Sequence, residues 1–299
     1  MDLLKGKAVV VTGAGRGLGE AYAMQAARAG ASVVVNDVEG ELAEAVAGRI
    51  AREGGRALAS SQSVRDPDQA SAIVERCLAQ FGRIDGLVNN AGLHYEALPW
   101  AEDVDAAREL IEVNVLGVLY CGLAAARVMR RQRAGSIINV ASASLFGQRR
   151  AGTYAASKGA VAALTSSWAL DFEALGVRVN AVCPQAWTRM VQASPTARMH
   201  CAPDHTPERV APLVIYLLSD LSTGITGQVI RFTGDQLQLL HQPGFRDPEL
   251  RSERWGVTDI AAAFESVLGD YLEPFGVQKL TPPGPRMPAP GASVPTAGD

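Results

Sequence analysis

Short, uniformly apolar runs alternate along this chain with longer stretches whose apolar positions recur at helical spacing. Residues 8–11, an alanine and three β-branched valines, form the first run, as a parallel strand covered on both faces requires. An alanine-rich helical pattern follows to about residue 29, closed by Gly30, and residues 32–36 form the next strand. The alternation continues as helix 41–53, strand 56–61, helix 67–80, strand 84–88, a long helical region 104–131 and strand 136–141. A helix to about residue 175, strand 177–183, helix 208–219 and strand 228–232 complete it. Pro67 takes the favoured first helical position behind Asp66 as candidate cap. Pro212, inside the helix 208–219, must cost a backbone bond or delay the helix start. Strands separated by helices imply right-handed crossovers, so the predicted class is α/β, a single doubly wound parallel sheet with helices on both faces.

Composition adds limits. The chain has 299 residues, 47% apolar and 20% charged, which is enough to bury a substantial core. A net charge of −3 leaves no electrostatic footprint for nucleic acid or an anionic membrane surface. Cys77, Cys121, Cys183 and Cys201 are widely spaced, with no metal-ligand pairing, and are expected as reduced thiols in a cytoplasmic protein. The start, MDLLKGKAVVVTG, runs directly into a strand, so no signal peptide is expected. The longest apolar run, 115–126, is too short to span a bilayer. Its small residues would permit close helix packing between subunits, and a homodimer or homotetramer is expected.

Three segments are expected. Residues 1–235 hold the catalytic dinucleotide-binding domain. Residues 236–280 form an extension on or near the substrate side, with a helix at 259–272. Residues 281–299 hold six prolines and little that could be buried, so disorder is expected there. Residues 185–207, with Trp187, Met190 and Met199, suit a substrate-covering loop or a plain surface loop.

Candidate chemistry gathers at the strand ends. The first strand ends in TGAGRGLG, residues 12–19, and a helix follows. In that context glycines let backbone N–H groups approach a pyrophosphate, and the helix N-terminus adds partial positive charge. Glycines serving only a tight turn are the bland alternative. The second strand stops at Asp37, about 20 positions on, where a carboxylate accepts from adenosine ribose hydroxyls and repels a 2′-phosphate. That favours NAD over NADP, with Arg16 a partial offset. Further along stand Ser142, Tyr154 and Lys158. Tyr154 and Lys158, four apart on a helix, share a face. A neighbouring ammonium favours the phenolate, giving a general base for an alcohol proton, with Ser142 holding the oxygen. Gly13, Asp37, Asn90, Ser142 and Pro184 all fall at carboxyl ends of strands, where ligands bind in such sheets.

TGAGRGLG, Asp37, NNAG at 89–92, Asn114 in VNVLG, Ser142 and Tyr154-x-x-x-Lys158 occur in the order and spacing of short-chain dehydrogenases/reductases. The resemblance covers about residues 3–233, and the run VVVNDV and Val210 to Leu213 look most like the (3R)-hydroxyacyl-CoA and hydroxysteroid dehydrogenase branch. It implies a Rossmann-type sheet and an NAD-dependent hydride transfer between nicotinamide and a secondary alcohol or ketone carbon. By the same resemblance Tyr154 is the acid/base and Lys158 lowers its pKa and binds the nicotinamide ribose. Ser142 orients the substrate oxygen, and Asn114 holds a water in a proton relay. Gly13, Arg16, Gly17, Leu18 and Gly19 would surround the pyrophosphate side of the cofactor. Asp37 would take the adenosine ribose, Ser63 and Val64 the adenine region, Asn90 the cofactor near its middle, and Thr188 the nicotinamide amide. Three features depart from the pattern. Ser63 stands where an aspartate is usual, Gln185 where a glycine commonly follows Pro184, and Ser142 and Tyr154 are 12 apart, one fewer than expected. Glutamine would be strained if the backbone at 185 adopted φ > 0.

The leading reading is therefore an oxidoreductase of an apolar small-molecule substrate, a hydroxyacyl-CoA, steroid or polyketide-like alcohol. A catalytically silent dinucleotide sensor or scaffold on the same fold is the alternative, with Gln185 in its favour. Leu145, Phe146, Trp187 and Met190 suggest an apolar pocket. Arg149 and Arg150 suit either a solvated turn or a carboxylate or CoA phosphate.

Overall fold

The computed structural model describes residues 2–199, 201–282 and 284. Strand β1 (Ala8–Thr12), helix α1 (Gly17–Arg28), β2 (Ser32–Asn36), α2 (Gly40–Arg52), β3 (Arg56–Ser60) and α3 (Pro67–Phe81) open the chain. Then come β4 (Gly86–Asn89), α4 (Val104–Ile111), α5 (Gly117–Gln132), β5 (Gly135–Val140), α6 (Gly152–Asp171) and β6 (Val177–Pro184). Two short helices, α7 (Arg189–Ala193) and α8 (Pro195–Arg198), precede α9 (Pro207–Leu218), β7 (Val229–Phe232), β8 (Leu237–Leu239) and α10 (Val257–Ser266). The sheet runs in the order β3-β2-β1-β4-β5-β6-β7-β8. Pairings from β3 to β7 are parallel, and β8 joins β7 antiparallel. The order reverses direction between β1 and β4, which opens a crevice at their carboxyl ends.

Both sheet faces are covered, which is why the strands read as unbroken apolar runs. Val9, Val11, Val33 and Val35 enter a core with α1, α2 and α9. Ala8, Val10 and Val34 enter the opposite core with α3 and α5. The small residues near the start of α5 are used inside the chain. A methyl at Gly117 would meet Val64 at 2.7 Å, and one at Gly122 would meet the Trp168 ring at 2.3 Å. These two glycines therefore close the contact of α5 with its own neighbours. Helical residues 104–132 are long and apolar enough to cross a membrane by length and composition. Cys121, Ala125 and Met129 nevertheless pack into the core beside α3.

Pro212 does not delay α9. It removes the N–H that would bond the Glu208 carbonyl four residues back. The Gln25 side chain of α1 donates to that carbonyl at 2.9 Å instead. Gln25→Ala should leave the carbonyl without its partner and cost about 1 kcal/mol. Thermal unfolding should then show a melting temperature lower by about 2–4 °C; an unchanged value would mean the bond contributes nothing.

The first unit extends to Leu240 rather than stopping at 235, because β8 completes the sheet. The second unit begins at His241 and contains α10 and a 3₁₀ turn, Leu268–Tyr271. The helix expected at 259–272 is thus split in two, and every described residue of the unit is at least partly exposed. The proline-rich end falls outside the described residues except for 281, 282 and 284.

Candidate active site

Beyond β1 the chain turns through Gly13 and Gly17, at φ 61° and 58°, a region glycine alone enters without strain. Close approach sets the third position: a methyl at Gly19 would stand 2.1 Å from the Gly13 carbonyl oxygen and 2.5 Å from the Asn90 amide nitrogen. That amide donates to the carbonyls of Thr12 and Gly13 at 3.0 and 2.9 Å. The Thr12 hydroxyl accepts from the N–H groups of Asn90 and Ala91, both at 3.1 Å. Both amide protons of Asn90 thus hold the shape of the glycine turn, leaving its carbonyl groups for a ligand. Gly19→Ala should force the turn open, at about 1–3 kcal/mol of overpacking. Expected is a lower melting temperature together with loss of dinucleotide binding in a titration; tight binding by this variant would show that the turn has no part in it.

The start of α1 fits a dinucleotide. Asp66 and Asp103 cap α3 and α4, accepting from Gln69 and Ala106 N–H at 2.8 and 2.7 Å. Arg16 occupies the same position before α1 and makes no side-chain cap bond. The first-turn N–H groups of Gly17, Leu18 and Gly19 therefore lack a side-chain cap, a standing site for phosphate oxygens. Leu18 packs partly into the core, and the Thr188 methyl lies 3.7 Å from where a methyl on Gly17 would stand. Thr188 caps α7, accepting from Val191 N–H.

Asp37 is 8% exposed, at the end of β2. One carboxylate oxygen accepts from Gly15 N–H at 2.9 Å and the other from Glu39 N–H at 3.0 Å. Both oxygens keep a lone pair for ribose hydroxyls. Arg16 ion-pairs with Glu39. At the end of β3 the Ser63 hydroxyl accepts from Arg65 N–H within its own turn, at 3.2 Å, and Val64 is buried against Gly117.

The catalytic candidates converge at the ends of β4 and β5. A buried chain runs from Asn89 to Asn139 to Thr165, at 2.9 and 3.0 Å, and fixes α6 on the sheet. Tyr154 and Lys158 follow one turn apart on α6, with the Lys158 ammonium 5.6 Å from the Tyr154 ring centroid. The Ser142 hydroxyl donates to Ser144 Oγ at 3.0 Å and accepts from Ser144 N–H at 3.2 Å. Lys158 donates to the Val140 carbonyl at 2.7 Å. Fully buried Asn114 donates to Leu93 O and Ser157 Oγ, and accepts from Leu93 N–H at 2.7 Å. It sits in a π turn, Glu112–Leu116, where Gly117 N–H bonds the Glu112 carbonyl. Such a turn widens the helix where a function requires it, and the sequence showed only one long helix there. Asn114 and Lys158 meet near Gly92: a methyl there would lie 3.3 and 3.8 Å from their polar atoms.

The titration order is the reverse of the expectation that lysine lowers the phenol. Burial raises Tyr154 to about 12, only partly opposed by the Ser142 hydroxyl. Burial also lowers Lys158 to about 8. Desolvation of the charged form is the largest cause of both shifts.

Sequence reasoning missed two neighbours. His94 stands edge-on to Tyr154, ring centroids 4.6 Å apart, and burial lowers its pKa. Glu96 reaches across to the segment after β6. Both follow directly on the NNAG motif, yet nothing local marks them. Gln185 carries no strain: among the described residues the positive-φ non-glycines are Arg133, Arg150 and Lys279. Its side-chain amide oxygen accepts from Arg231 at 3.1 Å. The loop from Ser142 to Tyr154 contains Gly147 and Arg150 at φ 92° and 62°.

A glycine turn on an uncapped helix, an acidic residue after β2, and half-buried Ser142 and Tyr154 beside buried Lys158 define a nicotinamide-dinucleotide oxidoreductase. Residues 7–198 match the model of the short chain dehydrogenase family. The chain belongs to that family, whose members act on CH–OH groups and ketones. It is 39% identical over 238 residues to cis-4-hydroxycyclohexanecarboxylate dehydrogenase of Sinomonas cyclohexanicum, covering 76% of this chain and 95% of that one. To the 3-oxoacyl-acyl-carrier-protein reductase of Thermotoga maritima it is 35% identical over 243 residues, covering 77% and 98%. A crystal structure of a short chain dehydrogenase from Mycobacterium avium superposes with a TM-score of 0.81 at 30% identity, covering 94% of this chain and 98% of that one.

Proposed function

We propose that this protein is an NAD(H)-dependent dehydrogenase/reductase that moves hydride between nicotinamide and a secondary alcohol or ketone carbon of an apolar substrate. The observation that carries the reading is that buried Lys158 lies under the ring of half-buried Tyr154, beside Ser142, at the strand ends that also hold Asp37 and the glycine turn. Bound nicotinamide supplies or accepts the hydride. The chain's own groups handle the proton: Tyr154 gives it to, or takes it from, the substrate oxygen that Ser142 also holds. Lys158 and the Asn114 region bound the site behind them.

Half-exposed Phe146 and Met190 and partly buried Leu145 and Trp187 support an apolar substrate. The 3-oxoacyl reductase and hydroxycyclohexanecarboxylate dehydrogenase relatives support an oxo- or hydroxyacyl thioester or an alicyclic hydroxy acid as its class. Four buried free cysteines support a reducing, cytoplasmic setting. Leu123 and Leu170, exposed on α5 and α6, support a homodimer or homotetramer. Incubating the purified protein with NAD⁺ or NADP⁺ and a panel of 3-hydroxyacyl thioesters, alicyclic hydroxy acids and steroid alcohols tests the reading by NAD(P)H absorbance. Turnover with NAD⁺ is expected; binding of the dinucleotide with no turnover on any member would favour a silent sensor.

A further inference from the structure

The segment after β6 is tied down in an uneven way. Its base is closed where Trp187 N–H donates to the His205 carbonyl at 2.6 Å. Further out, α7 and α8 are too short to hold themselves in place, and none of residues 189–193 is buried. Among the described residues, apart from the Thr188 cap on α7, the side-chain hydrogen bonds from 189–199 to the rest of the chain both end on Glu96. Ser194 Oγ donates to one Glu96 oxygen, and Thr196 Oγ1 donates to the other at 3.2 Å. Ser194 is 3% exposed and the Glu96 side chain 12%, so these bonds are shielded from competing water.

Glu96 also faces the third wall of the site. Arg150 Nε lies 3.9 Å from it, and the next residue, Ala97, donates its N–H to the Arg150 carbonyl at 2.7 Å. Arg150 is held in the left-handed region at φ 62°, which a non-glycine residue keeps only when its surroundings enforce it. One carboxylate thus gathers the loop after β4, the loop between Ser142 and Tyr154, and the segment that begins with Thr188. Each of these three loops carries a candidate site residue.

We infer that Glu96 is a positioning residue that fastens residues 189–199 over the reaction site, and so sets how well the substrate is enclosed. This rests on the dehydrogenase reading for its consequence in catalysis, but not for the fastening itself. Without the carboxylate the segment must be ordered by each substrate molecule as it binds. The loss therefore falls on KM more than on the chemical step, which Tyr154 and Ser142 perform.

Trypsin provides a readout independent of activity, because Arg189 and Arg198 are exposed in the fastened segment. In native-state digestion, Glu96→Ala should be cut at these two sites roughly tenfold faster than the unmodified protein, as expected when a shielded charge-assisted bond is lost. KM for the best substrate of the panel should rise by a similar factor, with kcat changed less than about threefold. Glu96→Gln, which keeps an acceptor but loses the charge, should fall between. Ser194→Ala and Thr196→Val remove the other ends of the same bonds and should reproduce the effect in smaller measure, which covers the case of a poorly folding Glu96→Ala. Glu96→Ala combined with Ser194→Ala should be no worse than Glu96→Ala alone. Unchanged cleavage in Glu96→Ala and Ser194→Ala, or fully additive effects in the double variant, would overturn the inference. Absence of turnover in the unmodified protein would instead remove the dehydrogenase reading, while the digestion still decides whether Glu96 fastens the segment.

Discussion

Tyr154→Phe is expected to lower kcat by about 10²–10⁴-fold, the usual contribution of a positioned acid or base, while dinucleotide binding stays intact. The variant deletes one hydroxyl and leaves the ring that His94 and Lys158 pack around. With the phenol raised to about 12, it is protonated at neutral pH and ready to donate to a ketone oxygen. Alcohol oxidation needs the opposite form. Its rate should therefore climb as pH rises, while Lys158, lowered to about 8, loses its charge over the same range and weakens its hold on the phenolate. Steady-state rates in both directions against pH, with a cofactor titration of the variant, check this. Near-normal kcat in Tyr154→Phe would remove the proton role from this residue.

NAD should be preferred over NADP by at least about 10²-fold in kcat/KM, which corresponds to about 2.7 kcal/mol. Asp37 is nearly buried and pinned by two backbone N–H groups, so it cannot swing away from a 2′-phosphate. Arg16, the cation that could soften the repulsion, is occupied by Glu39. A 2′-phosphate would have to break that pair and sit between two carboxylates, whereas ribose hydroxyls simply donate to Asp37. Asp37→Ala should narrow the preference, and Glu39→Ala, by freeing Arg16, should raise activity with NADP on its own. Comparable kcat/KM for the two cofactors in the unmodified protein would refute the assignment.

The parallel sheet and most of the site were legible because their signals are local. Strand, glycine turn and helix lie within residues 8–28, and the tyrosine and lysine sit one helical turn apart. The strand bounds agree with the apolar runs within two residues, since burial on both faces leaves few polar interruptions. Other features had no local trace. The strand Leu237–Leu239 is three residues long, below the length at which alternation can be recognised. The π turn at Asn114 leaves the helical periodicity of its flanks intact. Gly117 and Gly122 in α5 make room for Val64 and Trp168, residues too distant in the chain for the sequence to show the contact.

Fold class was readable from the residues alone, as was the candidate set of Ser142, Tyr154 and Lys158, because both depend on residue type and short spacing. Tertiary structure alone decided how those groups behave. The amide protons of Asn90 go to Thr12 and Gly13, a bond between the ends of β4 and β1 that no local pattern shows. Lysine was expected to lower the phenol, yet burial of both reverses the order. Glu96 carried no motif, yet it receives bonds from residues 98 and 100 positions away. Desolvation and cross-loop hydrogen bonds depend on what lies beside a group in space, and residues that distant in the chain leave no pattern in its order.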